Sequence, residues 1–322
     1  MKHLRTMKHL RIIAAVIGVP ILLALSACGG GGGGGDSGGG GGGNGGADPW
    51  TTLISRSWSV TAGAENWQCR RIQIPADMYI TGFRAIAPPG QHDMNLTVAD
   101  SSALPVGTPT GNYPCSAGTG ILDHMMIYAS GIGTDDVLFP DKVGVHLKAG
   151  QFINLNMHLV NRNNNSELNG ISGVMVKTGT AADVTTEADM FFAGTFNIFL
   201  PSDNQTHNAV GGCTTEVDMQ VFALWPNMHS LATRQKMTVT HIPTNVTQVV
   251  FDTAYDFNQQ RVFYPTTPLT IIPGDIIQIT CSYVNNTGTD VTFGDSSTKE
   301  QCFTGVYRYP IVGASSAFMC VN

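Results

Sequence analysis

Among the nine histidines of this 322-residue chain, His158 stands in a pattern that could do chemistry. In INLNMHLVN, residues 153–161, Ile153, Leu155, Met157 and Leu159 share one face of a period-two segment, while Asn154, Asn156 and His158 share the other. An imidazole there is either a metal ligand, offering a ring lone pair to a borderline cation, or a polar side chain on the solvated face of a sheet. Taken alone, the segment requires no more than the second. Other titratable groups read more simply. His124, His146, His207 and His241 fit polar loops or strand faces, and Asp135-Asp136 sits in a turn-like GIGTDDV that it would cap or solvate. A hydrolase would need a nucleophile on a sharp turn, and the chain has no G-x-S-x-G.

The elements that must position such residues follow a distinctive N-terminus. Lys2, Lys8 and Arg11 make a basic head, residues 12–25 are apolar but too short for a stable span, and Leu25-Ser26-Ala27-Cys28 follows. Residues 1–27 are therefore read as a signal peptide. The small residues before Cys28 resemble the bacterial lipobox, in which that thiol is acylated. A duplicated MKHLR leaves the start open between Met1 and Met7. Residues 28–49 are mostly glycine, which cannot bury apolar surface, so they form a tether with a reach of roughly 20–25 Å. The expectation is an exported, monomeric lipoprotein, held through lipid on Cys28 at the outer membrane, cell surface or periplasmic face. In such a chain the sequon Asn245-Val246-Thr247 carries no weight.

The remainder is long enough for two domains of ordinary size. A net charge of −6 with no basic stripe argues against nucleic acid and anionic headgroups as partners. Apart from Cys28 there are six cysteines, Cys69, Cys115, Cys213, Cys281, Cys302 and Cys320, and none forms a CxxC pair. An even number in an exported chain predicts disulfides over zinc thiolates. Nearly every patterned stretch alternates like a strand, including RRIQIP, YITGFRAIA, GISGVMVKT, EVDMQVFAL, RQKMTVTHI, NVTQVVFDT and LTIIPGDIIQITCSYVN. Helical periodicity is absent. An all-β fold of two sandwiches follows, residues 50–178 and 190–322, divided at the small-polar TGTAADVTTEAD of residues 178–189. Two cysteines precede that break and four follow it, which predicts one bridge and then two, with three pairings open for the latter.

The second half resembles the C-terminal domain of the copper type II, ascorbate-dependent monooxygenases, the family of peptidylglycine alpha-hydroxylating monooxygenase and dopamine beta-monooxygenase. The shared pieces are Tyr255, Asp256, Phe257 and Gln259, the Pro-Gly-Asp of residues 273–275, Cys281 with Tyr283, Phe293-Gly294, Glu300, Cys302 and the closing Tyr-x-Tyr-Pro of residues 307–310. The first half resembles the family through GFRAIAPPGQHDMNLTV and LFPDKVGVHLKAGQFINLNMHLVN. The resemblance runs from about Trp67 to the end. It implies two jelly-roll sandwiches side by side, with disulfides Cys69–Cys115, Cys213–Cys320 and Cys281–Cys302.

It also implies a chemistry: insertion of one atom of O₂ into a C–H bond, with electrons from ascorbate or a similar reductant passing through two coppers kept apart across a solvent-filled cleft. One copper has three imidazoles. Where the family has His-His-Met this chain reads His92-Asp93-Met94, and His158 stands at the later strand ligand, with Asn156 as its polar neighbour. Asp93 in place of an imidazole is harder and anionic, and favours Cu(II). The other copper binds O₂ through two imidazoles and a methionine thioether. There the family's His-x-His is Asn227-Met228-His229, and its methionine is Gln301, whose amide oxygen is a weak hard ligand. Met228 would supply a thioether only if it faced the same side as His229, which an extended segment does not allow.

Two functions are therefore expected as rivals. The first is a copper monooxygenase acting on a small or peptide-like substrate, with His92, His158 and Asp93 on one copper and His229, Asn227 and Gln301 lining a degraded oxygen site. The second is a non-catalytic copper- or ligand-binding lipoprotein on the same scaffold, binding no more than one ion.

Overall fold

The computed structural model describes residues 48–116, 125–312 and 319–322. The leader, Cys28, the glycine-rich tether up to residue 47 and His124 lie outside the described residues. The described residues form one compact unit. No helix among the described residues is long and apolar enough to cross a membrane.

The first half contributes β1 (Trp50–Val60), β2 (Glu65–Gln73), β3 (Met78–Ile86), β4 (Gln91–Ala99), β5 (Gly111–Pro114), β6 (Met125–Gly131), β7 (Val137–Leu138), β8 (Val143–Leu147), β9 (Phe152–Val160), β10 (Leu168–Gly179) and β11 (Thr186–Glu187). They form two facing sheets, ordered β1-β10-β3-β8-β11, with β7 on β3, and β5-β2-β9-β4-β6. The second half contributes β12 (Asp189–Thr195), β13 (Phe199–Leu200), β14 (Thr206–Thr214), β15 (Met219–Met228), β16 (Ala232–His241), β17 (Val246–Ala254), β18 (Leu269–Ile271), β19 (Ile276–Val284), β20 (Val291–Thr292), β21 (Cys302–Tyr309) and β22 (Met319–Val321). Its main sheets run β18-β15-β21-β12-β22 and β14-β19-β16-β17, and β13 pairs with β20. The fold is all-β and sandwich-like.

The core explains the alternation. Ile153, Leu155, Met157 and Leu159 of β9 face Ile54, Trp58, Ile80, Phe83, Val174 and Val176 of the opposite sheet in one apolar cluster. Each such side chain contributes about 1.5–3 kcal/mol on burial. Met190, Phe222, Ala223, Trp225 and Tyr307, all from the second half, belong to that same cluster. The sheet carrying β12, β15 and β21 is therefore buried on both faces, one against its own partner sheet and the other against the first sandwich. That double burial accounts for the unbroken apolar run VFALW in β15, where a half-exposed strand would alternate.

Disulfides join Cys69 to Cys115, Cys213 to Cys320 and Cys281 to Cys302. The last lies inside the second core, where both sulfurs are fully buried.

Candidate metal centre

The polar face of β9 is not solvated. Asn154, Asn156 and His158 are as buried as the apolar residues between them, each exposed by 2 % or less. On β2, the neighbouring strand, Trp67 is the cross-strand partner of His158 and stacks on it, ring centroids 4.5 Å apart and nearly parallel. Asn156 donates to the carbonyl of Ser116. On the other side, β4 pairs with β9 in a register that sets Asp93 opposite His158 and slips between Gln91 and Asp93. His92 is the extra residue of that β-bulge. In a regular strand His92 and Asp93 would point to opposite faces; the bulge re-aims one of them, so both reach the same spot.

Three atoms meet there. Asp93 Oδ2 lies 2.8 Å from His92 Nδ1 and 3.2 Å from His158 Nδ1, and the two ring nitrogens are 2.9 Å apart. With Asp93 ionised, protons cannot satisfy this triangle. With one proton, a ring lone pair faces the carboxylate; with two, the nitrogen–nitrogen edge sets two N–H groups against each other. A cation satisfies all three edges. Spacings of about 3 Å are what neighbouring donors keep around one small divalent ion about 2 Å from each.

His229 completes the cluster from the second sandwich. It follows the last residue of β15, and its ring centroid is 5.0 Å from that of His92. Ligand atoms of His92, Asp93 and His229 all lie within 4.8 Å of one another. His229 donates Nδ1–H to the carbonyl of Lys299 at 2.8 Å, which fixes the tautomer and turns the Nε2 lone pair inward. Nε2 of His229 and Nε2 of His92 are both buried without a hydrogen-bond partner among the described residues. Burial, together with the charge of His92, pulls His229 down to about 4, so its ring is neutral and available to a metal. Phe257, 5.1 Å from His92 and 6.5 Å from His229 between ring centroids, covers both rings.

Glu65 accepts from His158 Nε2–H at 2.7 Å. That bond leaves Nδ1 as the atom His158 turns to the triangle. Burial opposes a charged His158, but hydrogen bonds and charges from Asp93 and Glu65 outweigh it and raise its pKa. Burial also opposes the Asp93 carboxylate, and His158 and His92 hold it far below the usual range all the same. A divalent cation bound here would displace the proton that Asp93 and Glu65 hold on His158.

The oxygen-site residues behave differently. Asn227 Nδ2 donates to Gln301 Oε1 at 3.1 Å, and Gln301 Nε2 donates to Asp295 at 2.8 Å, so these side chains are tied to one another. Met228 is wholly buried in the second core, on the face away from His229, and brings no thioether. The resemblance implies two coppers held apart across a solvent-filled cleft; in the structure the ring of His229, assigned to the second, stands 5.0 Å from that of His92, assigned to the first, because the two sandwiches share a core. Of the remaining histidines, His146 lies between Asp77 and Glu187, His207 pairs with Asp203, and His241 pairs with Asp275. Asp135 and Asp136 bind Arg261 and Arg84. Sequence reasoning missed Glu65, Trp67 and the Lys299 carbonyl. The i, i+2 spacing of Glu65, Trp67 and Cys69 places them on one strand face, and that was the available signal.

Glu300, fully buried, accepts the backbone N–H of Leu231 at 2.7 Å and of His229 at 2.9 Å. Burial pushes its carboxyl up to about 7 against the pull of those N–H groups. Between about pH 4.5 and 7 the folded chain therefore retains a proton that the unfolded chain has lost, so Glu300 contributes stability that falls as pH rises through that window. Urea midpoints measured across this range for the metal-free protein should fall more steeply with pH in wild type than in Glu300→Gln. Parallel profiles would contradict this.

The site thus defines a class: an all-β protein of paired sandwiches in which three histidines and one aspartate converge on one place. Residues 186–322 match the copper type II ascorbate-dependent monooxygenase, C-terminal domain, and the chain belongs to that family. It is 30 % identical over 244 residues to a human protein named putative DBH-like monooxygenase protein 2, covering 70 % of this chain and 48 % of that one. It is 26 % identical over 250 residues to mouse DBH-like monooxygenase protein 2, covering 70 % and 39 %. The chain spans about half or less of the length of these relatives. A solved peptide-N(4)-(N-acetyl-beta-D-glucosaminyl) asparagine amidase aligns over 82 % of this chain and 98 % of its own with 8 % identity and a TM-score of 0.33, too low to carry an argument.

Proposed function

We propose that this protein binds a single copper ion between His92, His158, His229 and Asp93, and that it does so without the second centre its family uses for oxygen insertion. The observation that carries the reading is the triangle of Asp93 Oδ2 and two Nδ1 atoms, whose edges no arrangement of protons satisfies while Asp93 is ionised. The donor set fits copper: imidazoles suit it, and the aspartate, harder than a thioether, favours Cu(II). When bound, the ion would supply one-electron redox chemistry. The chain's own groups prepare the place for it. Asp93 offsets the cationic charge, Glu65 and the Lys299 carbonyl fix two ring orientations, and Trp67 and Phe257 shield the rings from water.

Family membership and the relatives' names favour a second reading, hydroxylation of a C–H bond in a small or peptide-like substrate with O₂ and ascorbate or a similar reductant. Copper titration with oxygen-uptake measurements separates the two. The single-centre reading expects one Cu(II) per chain, binding lost in His158→Ala, and ascorbate-driven O₂ consumption no faster than with free copper. Two ions per chain with accelerated consumption would establish the second reading. On either one, the pattern at residues 25–28 and the glycines after it support attachment to a membrane through lipid on Cys28.

A further inference from the structure

Both oxygens of Glu65 are engaged, and the donors come from both sandwiches. Oε1 accepts from His158 Nε2 at 2.7 Å and from the backbone N–H of Ser297 at 2.9 Å. Oε2 accepts from the hydroxyls of Ser297 at 2.9 Å and Ser296 at 3.2 Å. The turn that supplies these donors closes on itself, Lys299 N to Ser296 O at 2.9 Å. The Lys299 carbonyl then accepts Nδ1–H of His229. A continuous run of hydrogen bonds thus leads from His158 in the first sandwich, through Glu65 and the turn, to His229 in the second.

We propose that Glu65 is a positioning residue, a clasp on the Ser296–Lys299 turn that determines whether His229 joins His92, His158 and Asp93 around one ion. The inference rests on the single-centre reading above. Other hydrogen bonds between the sandwiches lie elsewhere: Arg261 pairs with Asp135, and Tyr264 and Tyr307 bond to the backbone of Asp136 and Ala129. None of those side chains bonds to a ligand histidine. Glu65 bonds one directly, and the turn it holds carries the carbonyl that orients the other. Without the carboxylate, the turn loses three bonds to the first sandwich at once, and His158 loses the acceptor that fixes its tautomer.

The chemistry of the two oxygens makes the test specific. Both N–H donors point at Oε1, while the hydroxyls at Oε2 can rotate to become acceptors. A glutamine with its carbonyl at Oε1 and its amide at Oε2 keeps every bond, whereas an alanine keeps none.

Pulsed spin-resonance counting of coordinated imidazoles, with one equivalent of Cu(II) added to the metal-free chain, provides the readout. Wild type and Glu65→Gln should show three imidazoles. Glu65→Ala should show two, bind at least tenfold more weakly, and lose no further imidazole when His229→Ala is added, whereas adding His158→Ala should abolish binding. The double variant Ser296→Ala/Ser297→Ala removes two donors on a half-buried turn without altering a residue of the first sandwich, and it should give a mixture of the two spectra. Three imidazoles in both Glu65→Ala and the serine variant would overturn the clasp and leave the single centre standing. Loss of His158 in place of His229 in Glu65→Ala, or loss of His229 in Glu65→Gln, would overturn the clasp as well. A wild-type spectrum without His229 would overturn the single-centre reading, and the clasp with it.

Discussion

His92→Ala is expected to lose copper almost entirely, with a fall in affinity well beyond the roughly 10–100-fold that removal of an outer partner costs. His92 touches more of the cluster than any other member described. Its Nδ1 forms two edges of the donor triangle, and its ring meets those of His158, His229 and Phe257. Removing it leaves Asp93 and His158 joined by an ordinary hydrogen bond that one proton satisfies, so the electrostatic demand for a cation disappears. His229 would then have no neighbouring imidazole. Competition against a chelator of known affinity gives the measurement, and His241→Ala, at a site bonded to Asp275, is the control expected to bind as wild type. If His92→Ala bound copper as tightly as that control, the cluster would not be the site.

A second large effect concerns stability. Asp189 and Arg308 are cross-strand partners of β12 and β21, each only 2 % exposed. Nε to Oδ1 is 2.7 Å and Nη2 to Oδ2 is 3.3 Å, the guanidinium lies 4.6 Å from the Phe191 ring centroid, and the second carboxylate oxygen also accepts Val312 N–H at 3.1 Å. Removing one partner strands a charge where water cannot follow. Asp189→Ala should therefore lower the unfolding free energy by about 3–5 kcal/mol, read from urea denaturation. Replacing both residues by apolar side chains of similar size should recover most of the loss. A cost under about 1 kcal/mol for Asp189→Ala would mean that the pair is hydrated in solution.

Strand alternation and the cysteines were legible because each depends on local rules. The run at residues 153–160 reads as a strand since side chains two apart must share a face, and the structure puts β9 there. The reading faltered at the opposite face of that strand. A polar set signals water in an isolated sheet, and nothing in INLNMHLVN tells that Trp67 and Glu65 cover it. Glu65 is one of 23 acidic residues with no motif around it, and the Lys299 carbonyl belongs to the backbone, which any residue would supply. The bulge at His92 was equally hidden, for it depends on how β4 registers against β9.

Its own residues told this protein's sequence to be all-β, to carry bridged cysteines in each half, and to resemble an oxygenase family at particular histidines while lacking its thioether. Those properties lie in side-chain identity and short-range spacing, which survive without knowledge of distant contacts. Only the tertiary structure decided that the rings of His92, His158 and His229 stand together. The β15–β21–β12 sheet is buried on both faces, its outer face lies in the first sandwich's core, and that shared core carries His229 to within 5.0 Å of His92. Apolar burial is non-directional, so no pattern along the chain states which two faces it will bring together.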